Sequence, residues 1–319
     1  MKTNRIYGCR YVAAAFLFAF LLFFGPFGSV QAKKGDNAVP VVMQPTAKAI
    51  AKELKQEGDD LHLYDGNGNR MKNNAWVSYG GQLFFPNAEG KVYRHTILRF
   101  GDERAYYVNQ KGALQNGLVF VGGDLRYFFE SGEKMNEMAQ DAGWVWSHRG
   151  WIFVNENAKV YHDQFITFGP QNKYYMGAKG VMQTGKVRAK GTVYDIAEDG
   201  RVKMGAHRYT ADGKTYYAQE NGEPYRSMFL TDPSSGDTYY FGPTGIMLKG
   251  ISRIAGDYYY FTEGGKDAGK LAKKVGWYTT SEGRVFAAPG GKLYHDRFIT
   301  FGPKIRYYMG SDGPFNRGL

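Results

Sequence analysis

The sequence predicts an all-β fold, an array of short β-hairpins with one short helix at its N-terminal end. Three observations carry this. First, residues 160–180 (VYHDQFITFGPQNKYYMGAKG) return 133 residues later as 293–313 (LYHDRFITFGPKIRYYMGSDG), identical at 14 of 21 positions. Self-similarity at a fixed spacing marks a repeat architecture. Second, the pairs Tyr106-Tyr107, Tyr174-Tyr175, Tyr239-Tyr240 and Tyr307-Tyr308 step by 68, 65 and 68 residues, and weaker copies of the segment start at Val92 and Pro224. Each long period holds three shorter units: aromatic or β-branched residues, a polar turn, an aromatic doublet, then a glycine turn. That is two short strands joined and ended by turn residues. Third, the 319 residues include 25 Tyr, 22 Phe and 43 Gly against 11 Pro. Rings fill pleated surfaces and glycines supply turns with positive φ. The aromatic load argues against a disordered chain.

Taken in order, residues 1–32 read as a secretory signal. Lys2, Arg5 and Arg10 form a positive leader, residues 12–24 (VAAAFLFAFLLFF) an apolar core, and Val30-Gln31-Ala32 puts small residues before a cut. The core of 13 residues is short of the roughly 20 that span a bilayer. Residues 33–60 are read as a linker and a capping helix. The helix covers 46–57, with Thr46 as N-cap, Ala47, Ile50, Ala51 and Leu54 on one stripe, and Gly58 as its stop. Its expected role is to cover the open end of the array, because terminal repeats need protection. Residues 61–319 form the tandem array. A partial unit at 61–74 precedes eleven units that start near Ala75, Val92, Gly117, Gly143, Lys159, Gly185, Gly205, Pro224, Gly250, Gly276 and Leu293. Two units are longer, 117–142 and 250–275. Their tails, KMNEMAQDA and KDAGKLAKK, lie in equivalent places and run into Gly143-Trp144 and Gly276-Trp277.

The formal charge is +11, and removing the three leader cations leaves +8. The lysines and arginines are scattered, which serves solubility and suits anionic surroundings such as wall polyanions or acidic glycans. With no basic stripe, nucleic acid is not an expected partner. Cys9 is the only cysteine and precedes the apolar core. A processed chain therefore has no disulfide and no thiol nucleophile.

Catalytic patterns are missing: there is no HExxH, GxSxG, P-loop or CxxC. His162-Asp163 and His295-Asp296 resemble acid–base or metal dyads, but neighbours on a strand point to opposite faces. They also recur with the repeat, which marks them as structural. Gly80-Gly81, Gly122-Gly123, Gly264-Gly265 and Gly290-Gly291 are turn glycines with no helix after them, so they form no phosphate cradle. No catalytic residue, metal or cofactor is expected.

Three units show the repeat most fully: 143–159 (GWVWSHRGWIFVNENAK), 74–91 (NAWVSYGGQLFFPNAEGK) and 213–223 (GKTYYAQENGE). In tandem over about 61–319, they resemble a superfamily of short β-hairpin repeats. It comprises cell-wall- and choline-binding repeats, the glucan-binding repeats of secreted glucosyltransferases and the receptor-binding repeats of clostridial toxins. The resemblance implies a β-solenoid with about three hairpins per turn, so one long period is one turn. It also implies ligand clefts between neighbouring hairpins. Choline would sit in an aromatic cage; glucans and wall sugars would stack on exposed rings and hydrogen-bond to turn residues. Here Trp76, Trp144 and Trp277 hold the Gly-Trp place, but not in successive units, and the unit at Gly185 has only Tyr194 in place of a doublet. That departure favours sugar or wall polymer over a regular choline cage.

The candidate ligand-binding residues are Trp76, Trp144, Trp151 and Trp277, with Tyr107, Tyr175, Tyr240 and Tyr308 standing for the outward ring of each doublet, since neighbours on a strand alternate sides. The expected function is a secreted or cell-surface, non-catalytic repeat protein that binds glycan or cell-wall polymer in several clefts, with weak sites summed by avidity. The alternative is a host-facing adhesin or toxin-like receptor-binding protein that takes host-surface glycans. An enzyme hidden among the repeats is a third reading, with no residue pattern behind it.

Overall fold

The computed structural model describes residues 45–72 and 74–315. The expected signal segment and the first part of the linker lie outside them. The described residues are almost entirely short antiparallel hairpins, with two single-turn 3-10 segments, Gly265–Asp267 and Pro289–Gly291. Eleven hairpins match the eleven expected units, from Val77–Tyr79 with Gln82–Phe84 to Arg297–Phe301 with Ile305–Met309. A twelfth precedes them, Glu53–Glu57 paired with Asp60–Tyr64.

That twelfth hairpin corrects the N-terminal expectation: there is no helix over 46–57. Ala49–Ile50 instead runs parallel to Val77–Ser78, and Glu53–Glu57 alternates as a strand with Leu54 opposite Leu63. Gly58, at φ 59°, makes the hairpin turn. An isolated helix of this length is marginal in water. Pairing instead buries Leu61 and Leu63 with Ala51, Val77 and Phe84 in one cluster. Ile50, on the expected helical stripe, is left 71% exposed.

The described residues divide into two compact units, the first running up to 166 with 176–182 and the second 167–175 with 183–315. Within each, one stitch repeats. A residue in the connection after one hairpin donates its N–H to a strand carbonyl of the hairpin before it. In the first unit Met138 donates to Ala105 and Val160 to Leu125, each at 2.7 Å. In the second, Leu271 donates to Thr238 and Leu293 to Tyr258 at 2.7 Å, and Phe315 to Arg284 at 2.6 Å. With Met182 donating to Trp151 at 2.8 Å as the counterpart of the Phe315 bond, these bonds pair off 133 residues apart, so the sequence repeat is also a hydrogen-bond repeat. Asx turns lead into the connections: the Asn109 side-chain oxygen accepts the N–H of Lys111 at 2.9 Å and of Ala113 at 3.1 Å.

The core is a series of small clusters rather than one centre. Ala105, Tyr107, Phe128, Met138 and Ala158 form one in the first unit. Tyr260, Ala272, Val285, Ala287 and Leu293 form one in the second. Because connections cover the outer strand face, strict in–out alternation fails: Tyr106 and Tyr107 are both buried. In two of the doublets the second tyrosine also has a fixed task. The Tyr107 hydroxyl lies 3.0 Å from His95 Nδ1, and Tyr308 donates to Asp296 Oδ1 at 2.6 Å. His95 and Asp296 both hold positive φ, 47° and 48°, so the ring anchors a strained residue before its own strand.

Candidate functional site

A tryptophan–phenylalanine–tyrosine row recurs at one station of the long period. Trp144 faces Phe153 across its hairpin, ring centroids 5.3 Å apart, and Phe153 stacks on Tyr161 at 5.9 Å. Trp76, Phe85 and Tyr93 repeat the row at 5.1 and 6.2 Å. Trp277, Phe286 and Tyr294 repeat it at 5.2 and 5.8 Å. At the remaining station Arg208 stands opposite Tyr217, which packs on Tyr225. The tryptophans miss successive units because their station comes once per three hairpins.

What lies over each indole differs. Trp76 is 8% exposed, closed in by Phe85, Phe100 and Tyr106. Trp277 is half-buried under Phe301, Tyr307 and Phe315, with the Arg284 guanidinium 4.8 Å from its ring centroid. Trp144, also half-buried, lines an open cleft of about 640 Å³ in the first unit. The other walls are the turn Asp102, Glu103 and Arg104, the long connection from Phe129 to Ala142, and the strand start at Gly143 and Val145.

The long tail noted in the sequence builds this cleft. Met138 ties it to Ala105, and the Gln140 side chain donates to the Glu103 carbonyl at 2.7 Å. Glu130 accepts the His148 N–H at 2.9 Å and the Tyr127 hydroxyl at 3.1 Å. Glu137 accepts the Tyr106 hydroxyl at 3.1 Å. Burial, then the Glu137 carboxylate, pushes that phenol up to about 12, so it stays a donor at neutral pH. Asp102, Glu103, Glu133 and Asp141 stand exposed on the rim. The cleft therefore offers an indole surface, acceptor carboxylates and an arginine. That set suits polyhydroxylated ligands, which stack through C–H faces and donate through hydroxyls.

No protein-family model matches the chain. It is 27% identical to Glucosyltransferase-S of Streptococcus mutans over 281 residues, covering 87% of this chain and 18% of that enzyme. It is 26% identical to Glucosyltransferase-I of Streptococcus downei over 256 residues, covering 79% of this chain and 15% of the enzyme. Across its described residues the chain is almost entirely a tandem run of short antiparallel hairpins. It spans less than a fifth of the length of these curated relatives. Among solved structures, this repeat protein is similar to choline binding protein F of Streptococcus pneumoniae at 17% identity, over 83% of this chain and 98% of that one, with a TM-score of 0.36.

Of the eight residues singled out in the repeat sequence, only Trp144 lines the cleft. Trp151 is half-buried elsewhere on the same hairpin, with Trp146 edge-on at 5.3 Å. Trp76, Tyr107 and Tyr175 are buried and offer no stacking face. Tyr240 packs against Phe229 at 4.7 Å, and Tyr308 is held by Asp296 and Phe298. Sequence reasoning missed Trp146, which is 61% exposed. Its signal was the pairing of Trp146 with Trp151 across the Ser147–Gly150 turn, which puts two indoles side by side. His162 packs on Phe120 and His295 on Tyr258, each ring edge-on to its neighbour.

Proposed function

We propose that this is a secreted, non-catalytic module that binds a glycan or cell-wall polymer in clefts between hairpins, with the Trp144 cleft as a working site. The observation that carries it is the combination in one open 640 Å³ groove of a half-exposed indole and a carboxylate rim. The similarity to streptococcal glucosyltransferases over most of this chain, and under a fifth of theirs, supports a glucan as the polymer and a part other than the whole enzyme as the shared piece. The leader pattern of residues 1–32 supports export.

The test is retention on α-glucan beads and on purified cell wall, with hydrolysis and transfer assayed in parallel. The wild-type chain should be retained on at least one support and turn over neither. Trp144→Ala should weaken retention by about tenfold or more, the scale of losing one well-placed aromatic anchor. Retention on neither support, or glycan turnover by the pure chain, would sink the reading.

A further inference from the structure

The long connection of the first unit has a counterpart in the second, residues 262–275, with the same backbone and inverted charge. The shared backbone is shown by three correspondences. Met138 to Ala105 matches Leu271 to Thr238. The Glu130 carboxylate on the His148 N–H matches Glu263 on the Ser281 N–H at 3.1 Å. Both connections run into a Gly-Trp strand start, Gly143–Ser147 and Gly276–Thr280. At matched positions the side chains change sign: Glu133 becomes Lys266, Lys134 becomes Asp267, Glu137 becomes Lys270, and Asp141 becomes Lys274. Arg104 becomes Asp237, Gln140 becomes Lys273, and Asn116 becomes Lys249.

Part of this inversion is internal to the fold. Lys270 Nζ bridges Asp237 at 2.9 Å and Asp267 at 2.8 Å, so those three charges satisfy one another. Lys273 Nζ donates to the Gly236 carbonyl at 3.0 Å, and among the described residues it has no carboxylate partner. Lys249, Lys266 and Lys274 are exposed, and among the described residues none has a carboxylate partner. Three exposed lysines without a carboxylate partner, together with Lys273, which holds only a backbone carbonyl, therefore lie on one short connection and at its root, next in the chain to the exposed Val275 and the half-buried Trp277. Like charges so placed repel one another; an anionic chain relieves that repulsion, and the effect acts within about 10 Å at 0.1 M salt.

We infer that the face formed by Lys249, Lys266, Lys273 and Lys274 binds an anionic polymer, through phosphate or carboxylate groups, and that the equivalent acidic cleft at Trp144 does not. The site is separate from the Trp144 reading, uses different residues and a different class of ligand, and stands if neutral glucan fails to bind. The experiment is titration of the full chain with inorganic polyphosphate and, separately, with polygalacturonate, each at 50 and 500 mM NaCl. Binding of one or both probes at low salt, at least tenfold weaker at high salt, is expected; which probe binds tells phosphate from carboxylate. The triple variant Lys249→Gln/Lys266→Gln/Lys274→Gln should lose at least tenfold in affinity with an unchanged melting curve, since all three side chains are exposed and hold no carboxylate partner among the described residues. The control Glu133→Gln/Asp141→Asn should bind as well as wild type or better. No binding of either probe at 50 mM NaCl, or equal affinity in the triple variant, overturns the inference. So does a salt-sensitive dimer by sedimentation without probe binding, in which the lysines meet the acidic cleft of a second copy.

Discussion

Gly222 sits at φ 74°, and a Cβ there would lie 2.6 Å from a Val202 methyl and 2.9 Å from the Lys203 carbonyl oxygen. The backbone oxygen has no room to yield, and the left-handed region itself disfavours a side chain. Gly222→Ala should lower stability by about 1–3 kcal/mol in urea unfolding; a change below a few tenths would show that the turn is slack. Gly180 holds the same place in its own turn, against Leu125 and Val160. Ala158 also holds it, at φ 56°. It is tolerated because the matched strand residue in its cluster is Ala105, not a leucine. At this scale one residue's freedom depends on the size of another 53 or 55 positions away, Ala105 for Ala158 and Leu125 for Gly180, which no local pattern contains.

Among the elements, the 185–196 hairpin carries no aromatic doublet, having only Tyr194. Its second station is Asp195, paired across the hairpin with Lys186. Lys186 Nζ reaches Asp195 Oδ2 at 2.6 Å, Lys203 Nζ reaches Oδ1 at 3.2 Å, and His207 Nε2 lies 3.3 Å from Oδ2. A charged cluster thus replaces a ring pair, with Asp195 only 5% exposed. Burial acts to raise its carboxyl, but the hydrogen bonds and charges of Lys186 and Lys203 outweigh it and hold the group below the ordinary carboxylate range. A lowered folded-state pKa means stability that is present above about pH 4 and is lost as pH falls through the folded value. Asp195→Asn should cost on the order of 1–3 kcal/mol at pH 7 and flatten the acid side of the stability–pH curve below about pH 4. An unchanged acid limb would remove Asp195 as its source.

For the whole molecule, each hairpin is closed by the next, so stability is a sum of neighbour terms within each unit. In the second unit Phe301, Tyr307 and Phe315 cover Trp277, and the Phe315 N–H completes the stitch to Arg284. Ending the chain at residue 293 should shift tryptophan emission to longer wavelength and lower the melting temperature by several degrees, while hairpins further up the same unit keep their circular dichroism. Collapse of the entire β signal would mean that the units are more cooperative than neighbour terms allow.

Turn residues and repeat spacing alone determined the number, order and limits of eleven hairpins, because Gly and Asn turns and aromatic alternation act over a few residues. The doublets, the long tails and the Gly-Trp stations were legible for the same reason. Only the tertiary structure decided that residues 46–57 pair as strands, that both Tyr106 and Tyr107 are buried, and that of three equivalent tryptophans Trp144 opens onto a cleft. Each of those outcomes is set by side chains one hairpin away, and a strand's own sequence does not encode what the next connection lays across it.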